Sequence, residues 1–284
     1  MATPEAARSH GRLPQGGPWP GSLRTSPQGL VVADALLPDL ARRFGTPLLV
    51  FDEDELRRRM RAVRARFARV AYAIKAFTAH AVIRLALEEG LDLLCASGGE
   101  LDACLRAAAP PERLMLHGNA KTDDELRLAV GAGIGAVIVD SPVELARLDA
   151  IAREAGRVQP VLLRVLPQVE VQTHEKIATG HAASKFGIAL EEVLDAARFA
   201  VGAEGLRLDG LQAHVGSQVL DVAPYVRVLE VLVDVAARIR EATGAVPAVL
   251  DVGGGFGVTY EAEEPLAVDA LADALLGRLA AACA

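Results

Sequence analysis

Short apolar runs alternate with amphipathic stretches along this chain from about residue 47 onward. Eight runs read as strands, at 48–51, 70–75, 91–96, 113–116, 136–139, 160–166, 208–214 and 248–252. The stretches after nearly all of them carry apolar residues at helical spacing, and several have start signals. Ser97-Gly-Gly-Glu100, Thr122-Asp-Asp-Glu125 and Ser141-Pro-Val-Glu144 each fit a capping box. In that motif the hydroxyl and the later carboxylate satisfy backbone N–H groups that the first helical turn leaves free. Pro142 falls at the first helical position, where its missing N–H costs nothing. Gly90, Gly131 and Gly156 stand where left-handed C-caps are expected. A last helix is predicted over about 265–282.

Alternating β and α units imply a parallel sheet with helical crossovers. Leaving aside 48–51, which precedes a long Arg-rich helix, seven βα units remain. A doubly wound sheet is compatible with that count, but a TIM barrel is favoured by where the reactive side chains fall. Lys75, Ser97, His117, Arg164, His214 and a cluster at Gly253 all close predicted strands. In such barrels the active site is built from the C-terminal ends of several strands. A barrel of about 250 residues would nearly fill the 284 residues here. Seven units leave an eight-stranded (β/α)8 barrel one strand short.

Composition narrows the function. Hydrophobic residues make up 51% of the chain, yet no unbroken apolar run reaches the ~18–20 residues that cross a bilayer. A net charge of −7 with no basic, aromatic-interleaved patch argues against a nucleic-acid partner. Cys95, Cys104 and Cys283 are odd in number and form no Cys-x-x-Cys pair, which fits a reducing cytoplasm and no disulfide framework. Cys95 and Cys104 read as packing residues on a strand and the following helix. His174, Glu175 and His181 lack a ligand spacing, so no metal site is expected. Residues 1–29, rich in Pro, Gly, Ser and Arg with no apolar core, read as a disordered leader. Residues 30–52 form an N-terminal segment, and 53–284 the barrel.

Lysine usage points to chemistry. Only four of the thirty basic residues are lysines. A chain that meets its general need for positive charge with arginine keeps lysine where a primary amine matters. A desolvated amine condenses with an aldehyde, whereas a guanidinium stays protonated and is a poor nucleophile. Lys75 ends an apolar run and shares its strand face with the small residues Ala71 and Ala73. The alternative is a lysine snorkelling from a strand end into water.

Two further strand ends bear on this. Asp251-Val-Gly253-Gly254-Gly255-Phe-Gly257 follows a clean apolar strand. Consecutive glycines let backbone N–H groups line one concavity and approach a phosphate without Cβ obstruction. A structural turn is the competing reading, and the spacing is not that of a dinucleotide fingerprint. His214-Val-Gly-Ser217-Gln218 closes the preceding strand; its imidazole could stack on a flat cofactor and its Ser217 hydroxyl reach a phosphate oxygen. An aldehyde-binding amine, a stacking imidazole and a phosphate cradle together describe pyridoxal 5′-phosphate.

These segments resemble the barrel domain of the fold-type III pyridoxal-phosphate decarboxylases, which share their barrel type with alanine racemase. Tyr72-Ala-Ile-Lys75-Ala-Phe77, His214-Val-Gly-Ser217 and Gly253-Gly-Gly-Phe-Gly257 correspond to the family's lysine, histidine and phosphate motifs. Within the family the chain looks most like the diaminopimelate decarboxylases. That likeness rests on Leu116-His-Gly-Asn-Ala-Lys-Thr122, Ser97-Gly-Gly-Glu-Leu101, His174-Glu-Lys-Ile-Ala-Thr-Gly180 and Ser184-Lys-Phe-Gly187. It covers about 45–262, and all four lysines (75, 121, 176, 185) fall inside these segments.

The resemblance implies an enzyme that decarboxylates meso-2,6-diaminopimelate to L-lysine and carbon dioxide in the cytoplasm. Lys75 would hold the cofactor covalently and exchange it for the substrate amine. His214 would stack on the ring, while Ser217, Gly253, Gly254 and Gly255 would bind the phosphate. Alternatives are a decarboxylase of another basic or diamino acid, or a non-catalytic barrel that binds the cofactor. The sequence departs from the family's pattern at Leu94, where relatives usually carry Asp. Relatives also continue past Gly257 into an eighth strand bearing Glu-Pro-Gly-Arg, and then a β domain with a Cys-Glu-Ser motif that completes a dimeric site. Neither motif occurs here, so the expectation is an incomplete form, with homodimerisation a property of the full-length family.

Overall fold

Burying the short apolar runs under amphipathic helices builds one parallel sheet with its crossovers on the outside. The computed structural model describes residues 19–169 and 186–283. Three short strands come first, β1 (Arg24–Ser26), β2 (Gly29–Val32) and β3 (Ala35–Leu36), and form a small antiparallel sheet in that order. Within them Ser26 Oγ donates to the Gly29 carbonyl at 2.8 Å and Arg24 reaches across to Ala33 and Asp34.

Helices α1 (Leu37–Phe44) and α2 (Glu53–Arg64) precede the barrel units. These are β4 (Ala71–Ala73), α3 (His80–Glu88), β5 (Asp92–Cys95), α4 (Gly98–Arg106), β6 (Leu114–Leu116), α5 (Asp123–Ala132) and β7 (Ala136–Val139). They continue as α6 (Pro142–Glu154), β8 (Gln159–Arg164), α7 (Val193–Gly202), β9 (Leu206–Gln212), α8 (Ala223–Thr243), β10 (Val249–Asp251) and α9 (Val268–Cys283). The sheet order β10-β9-β8-β7-β6-β5-β4 is sequential, and every pairing is parallel. The seven expected units are all present.

The sheet is curled. Laid flat, its edge strands would stand about 29 Å apart, six spacings of roughly 4.8 Å. Instead Ala71 on β4 and Val249 on β10 pack on one interior cluster with Met115, Ala136, Ile138 and Leu162. Leu94 joins the same cluster, so the residue standing in place of the family's Asp is part of the barrel filling. A larger core lies between sheet and helices, and includes Cys95 and Cys104 with their sulfurs 3.6 Å apart. Among the described residues β4 and β10 do not pair with each other. The helical layer meets outside that gap, where Arg66 Nη1 bonds Asp269 at 2.6 Å and Nη2 bonds Asp273 on α9.

Several local expectations change. Residues 48–51 form no strand; Leu49 is 83% exposed, and the Phe51 ring stacks on Phe77 with centroids 4.6 Å apart. The apolar content there serves a surface rather than a sheet. Helix α5 runs through Gly131 and ends at Gly133, whose φ of 72° takes the left-handed cap. Thr122 forms the full reciprocal capping box, but at Ser141 the Glu144 carboxylate turns to Lys121 instead. Strand β8 stops at Arg164 because Leu166 N–H donates to the Ile188 carbonyl in a separate bridge. No helix among the described residues is long and apolar enough to cross a membrane.

Candidate active site

The inward-facing positions continue, on the period of two, from the apolar interior to the C-terminal mouth. Met115, Ile138 and Leu162 fill the interior, and two residues further on stand His117, Asp140 and Arg164. On β9 and β10 the corresponding residues are Gln212 and Asp251, paired in register with Arg164 and with each other. A polar layer therefore caps the apolar one.

Arg164 and Asp140 form a buried ion pair at 2.8 Å, only 7% and 6% exposed, with the guanidinium also over the Phe186 ring. Beside them Lys121 is buried and satisfied by the Gly118 and Ile138 carbonyls at 2.6 and 2.7 Å and by Glu144 Oε1 at 2.6 Å. Burial lowers its pKa and raises that of Glu144. Gly118 N–H donates to His117 Nδ1 at 2.7 Å, which fixes that nitrogen as an acceptor. Gln212 Nε2 donates to the Ala213 carbonyl at 2.8 Å. The Gln212 side chain also lies against His117, but its Oε1 meets no donor in good geometry, so that contact is weak.

Lys75 sits in a tight turn rather than on the strand. Strand β4 ends at Ala73, and the Ile74 carbonyl accepts from Phe77 N–H and Thr78 Oγ1, both at 3.0 Å. Ile74 is buried in the core while Lys75 is exposed. Its charge bears on His214, because desolvation first, then Arg164, then Lys75 hold the His214 pKa down at about 4. His117 lies at about 3, from burial and then the charges of Arg164 and Lys121. Both imidazoles are neutral at physiological pH. The two histidines, Lys75 and Arg164 thus share one electrostatic environment at the mouth.

The glycine run lies directly against His214. Gly253 and Gly255 have φ of 80° and 86°. A Cβ on Gly255 would stand 1.9 Å from the Gly216 carbonyl oxygen and 3.2 Å from His214 Cε1. On Gly253 it would stand 2.6 Å from the Ala213 oxygen and 2.8 Å from His214 Nδ1. Only glycine fits either place. Nothing lies within 4 Å of the corresponding point on Gly254, which faces open space. Asp251 Oδ1 accepts the Gly253 N–H at 2.7 Å, and Tyr225 Oη donates to the Gly254 carbonyl at 3.2 Å. The N–H groups of Gly254 and Gly255 and the exposed Ser217 hydroxyl have no partner among the described residues. Unengaged donors beside open space form an anion cradle.

Of the expected residues, Gly253 and Gly255 pack against His214, Ser217 and Gly254 adjoin these in the chain, and the charge of Lys75 acts on His214. Asp140, Gln212 and Asp251 were missed as members. Following the inward-facing alternation to each strand end, and one step past it on β7, would have found them. The segments His174–Gly180 and Ser184–Lys185, with His181, lie outside the described residues.

A curled parallel sheet with a lysine, an imidazole and an anion cradle at its mouth defines a pyridoxal-phosphate barrel. Residues 53–284 match the family described as pyridoxal-dependent decarboxylase, pyridoxal binding domain, and the chain belongs to that family. Its relatives are diaminopimelate decarboxylases. It is 47% identical over 265 residues to that of Corynebacterium efficiens, covering 91% of this chain and 58% of the relative. It is 41% identical over 243 residues to that of Bacillus subtilis, covering 80% of this chain and 54% of the relative. The chain thus spans little more than half the length of these relatives. Among solved structures, diaminopimelate decarboxylase of M. jannaschii in co-complex with L-lysine superposes with a TM-score of 0.85 at 28% identity. That match covers 92% of this chain and 63% of the other. Lysine/ornithine decarboxylase of Vibrio vulnificus complexed with putrescine gives 0.71 at 26% identity, covering 86% and 62%.

The two depressed histidines predict a pH effect. Their folded-state pKa values, about 3 and about 4, lie below the unfolded 6.5, so the unfolded chain binds more protons between these limits. Stability of the cofactor-free protein should decline as pH falls from 6.5 toward 4, at a limiting slope of about 2.7 kcal/mol per unit for two groups. Glu55 and Glu89, held at about 2 by their arginine partners, add their losses only below 4.5. Denaturant unfolding across pH measures this, and His117→Gln with His214→Asn should flatten the upper part of the curve.

Proposed function

We propose that this chain is the cofactor-holding barrel of an enzyme that decarboxylates meso-2,6-diaminopimelate to L-lysine. The observation that carries the reading is the convergence of Lys75, neutral His214 and the open cradle at Ser217, Gly254 and Gly255. The donor set suits pyridoxal 5′-phosphate: a primary amine for the aldehyde, an uncharged planar ring beside it, and free N–H and O–H donors for the dianion. When bound, that cofactor supplies the electron sink into which the bond to the departing carboxylate can discharge.

The chain's own residues do the rest. Lys75 would hold the aldehyde end of the cofactor and could carry a proton within the mouth. His214, held neutral, would offer a flat, uncharged surface for the ring. Ser217 and the amides of Gly254 and Gly255 grip the phosphate, while Gly253 contributes its left-handed turn, its own N–H being taken by Asp251. Arg164, held in place by Asp140, keeps a positive charge close enough to hold both histidines neutral.

Diaminopimelate is favoured over ornithine as substrate by the relatives named above. The M. jannaschii and Helicobacter pylori neighbours are complexes with L-lysine, the product of this reaction. The test supplies purified protein and cofactor with meso-diaminopimelate, L-lysine, L-ornithine or L-arginine and follows carbon dioxide release. Release from diaminopimelate with L-lysine formed is expected. Release from ornithine or arginine alone would overturn the substrate assignment, and cofactor binding without release from any of them would support the non-catalytic alternative.

A further inference from the structure

We propose that Gln218 is a positioning residue that staples the two phosphate-gripping loops together and so sets affinity for the phosphate group. The inference rests on the reading of this mouth as a pyridoxal-phosphate site and assigns a residue that reading does not use. Gln218 holds a left-handed φ of 58°, a conformation uncommon for a residue with a Cβ. Such backbone persists where the surroundings over-determine it. Here they do. The Gln218 carboxamide donates through Nε2 to the Val258 carbonyl and accepts the Val258 N–H at 3.1 Å through Oε1. One side chain thereby pairs with both backbone groups of a residue forty positions away, as a strand neighbour would.

The next residue continues the ladder. Val219 N–H donates to the Gly255 carbonyl at 2.9 Å, and its carbonyl accepts from Gly257 N–H at 2.8 Å. Two backbone and two side-chain bonds therefore lock Gln218 and Val219 against Gly255, Gly257 and Val258. What this joint holds in register is the donor set of the cradle. Ser217 immediately precedes Gln218, and the free amides of Gly254 and Gly255 lie at the start of the opposing loop. The carboxamide faces Val258 and serves through geometry. Without it, Ser217 and the glycine amides would have to be brought together when phosphate binds, and the ordering cost would appear as lost affinity.

The experiment titrates cofactor-free protein with pyridoxal 5′-phosphate and, separately, with pyridoxal, which lacks the phosphate, following absorbance of the bound aldehyde. Wild type is compared with Gln218→Ala and Gln218→Gly. Both variants should lose about tenfold in affinity for the phosphorylated ligand, about 1.4 kcal/mol, and keep their affinity for pyridoxal. A glycine at this position accepts the left-handed φ without strain, so failure of Gln218→Gly to restore affinity assigns the effect to the carboxamide. Equal losses for both ligands, unchanged affinity for the phosphorylated one, or full recovery in Gln218→Gly would overturn the proposal. A wild-type protein that binds pyridoxal as tightly as its phosphate would instead sink the reading of the cradle itself.

Discussion

Lys75→Ala is expected to abolish retention of the cofactor through gel filtration and to slow carbon dioxide release at least about a thousandfold, within the ~10²–10⁴ that one positioned proton-transfer group contributes. Lys75→Arg should not rescue, because a guanidinium neither condenses with the aldehyde nor gives up its proton. No other described lysine can substitute: Lys121 is buried, with its three protons directed at two carbonyls and Glu144. Stability should change by no more than about 0.5 kcal/mol, since Lys75 is exposed in a turn held by backbone groups. Absorbance after filtration, turnover and thermal unfolding of the same preparation separate these effects. Wild-type turnover in Lys75→Ala would remove this amine from the chemistry.

The second large effect lies beneath the site. Glu144→Leu should cost about 3–5 kcal/mol of stability, because it leaves the Lys121 ammonium buried without its countercharge. Lys121→Met should cost a similar amount, with the added loss of bonds to Gly118 and Ile138. The double variant Lys121→Met with Glu144→Leu should be far less unstable than the sum, since apolar residues of similar volume can fill the place of a buried pair. Denaturant unfolding of the four proteins closes the cycle. Strict additivity would mean that the two charges do not depend on each other. The pair also sets the loop that carries His117, through the Gly118 carbonyl, so Lys121→Met should raise the His117 pKa by removing a neighbouring positive charge.

Much of this was legible from residue order alone. The apolar runs predicted all seven barrel strands, β7 to the residue, because strands buried on both faces leave a clear hydrophobic signature. The candidate site residues stood out by their places at strand ends. Residues 48–51 misled for a physical reason: four apolar residues in a row signal burial, but not whether a strand partner exists. The capping box at Ser141 misled because local spacing cannot reveal that a carboxylate has a stronger claim elsewhere, here Lys121 at 2.6 Å. Asp140 stood one step beyond its apolar run, and Gln212 and Asp251, near the ends of theirs, read as strand positions rather than as site groups. The pairing of Arg164 with Asp140 required knowing that β7 and β8 are neighbours. Gln218 needed more still, since nothing near it in sequence indicates Val258.

The strand order has one more implication. Lys75 follows β4 and the glycine run follows β10, the two margins of the sheet, which are not bonded to each other among the described residues. A molecule tethered to the amine at one end and to the cradle at the other would span that seam like a clasp across an open ring.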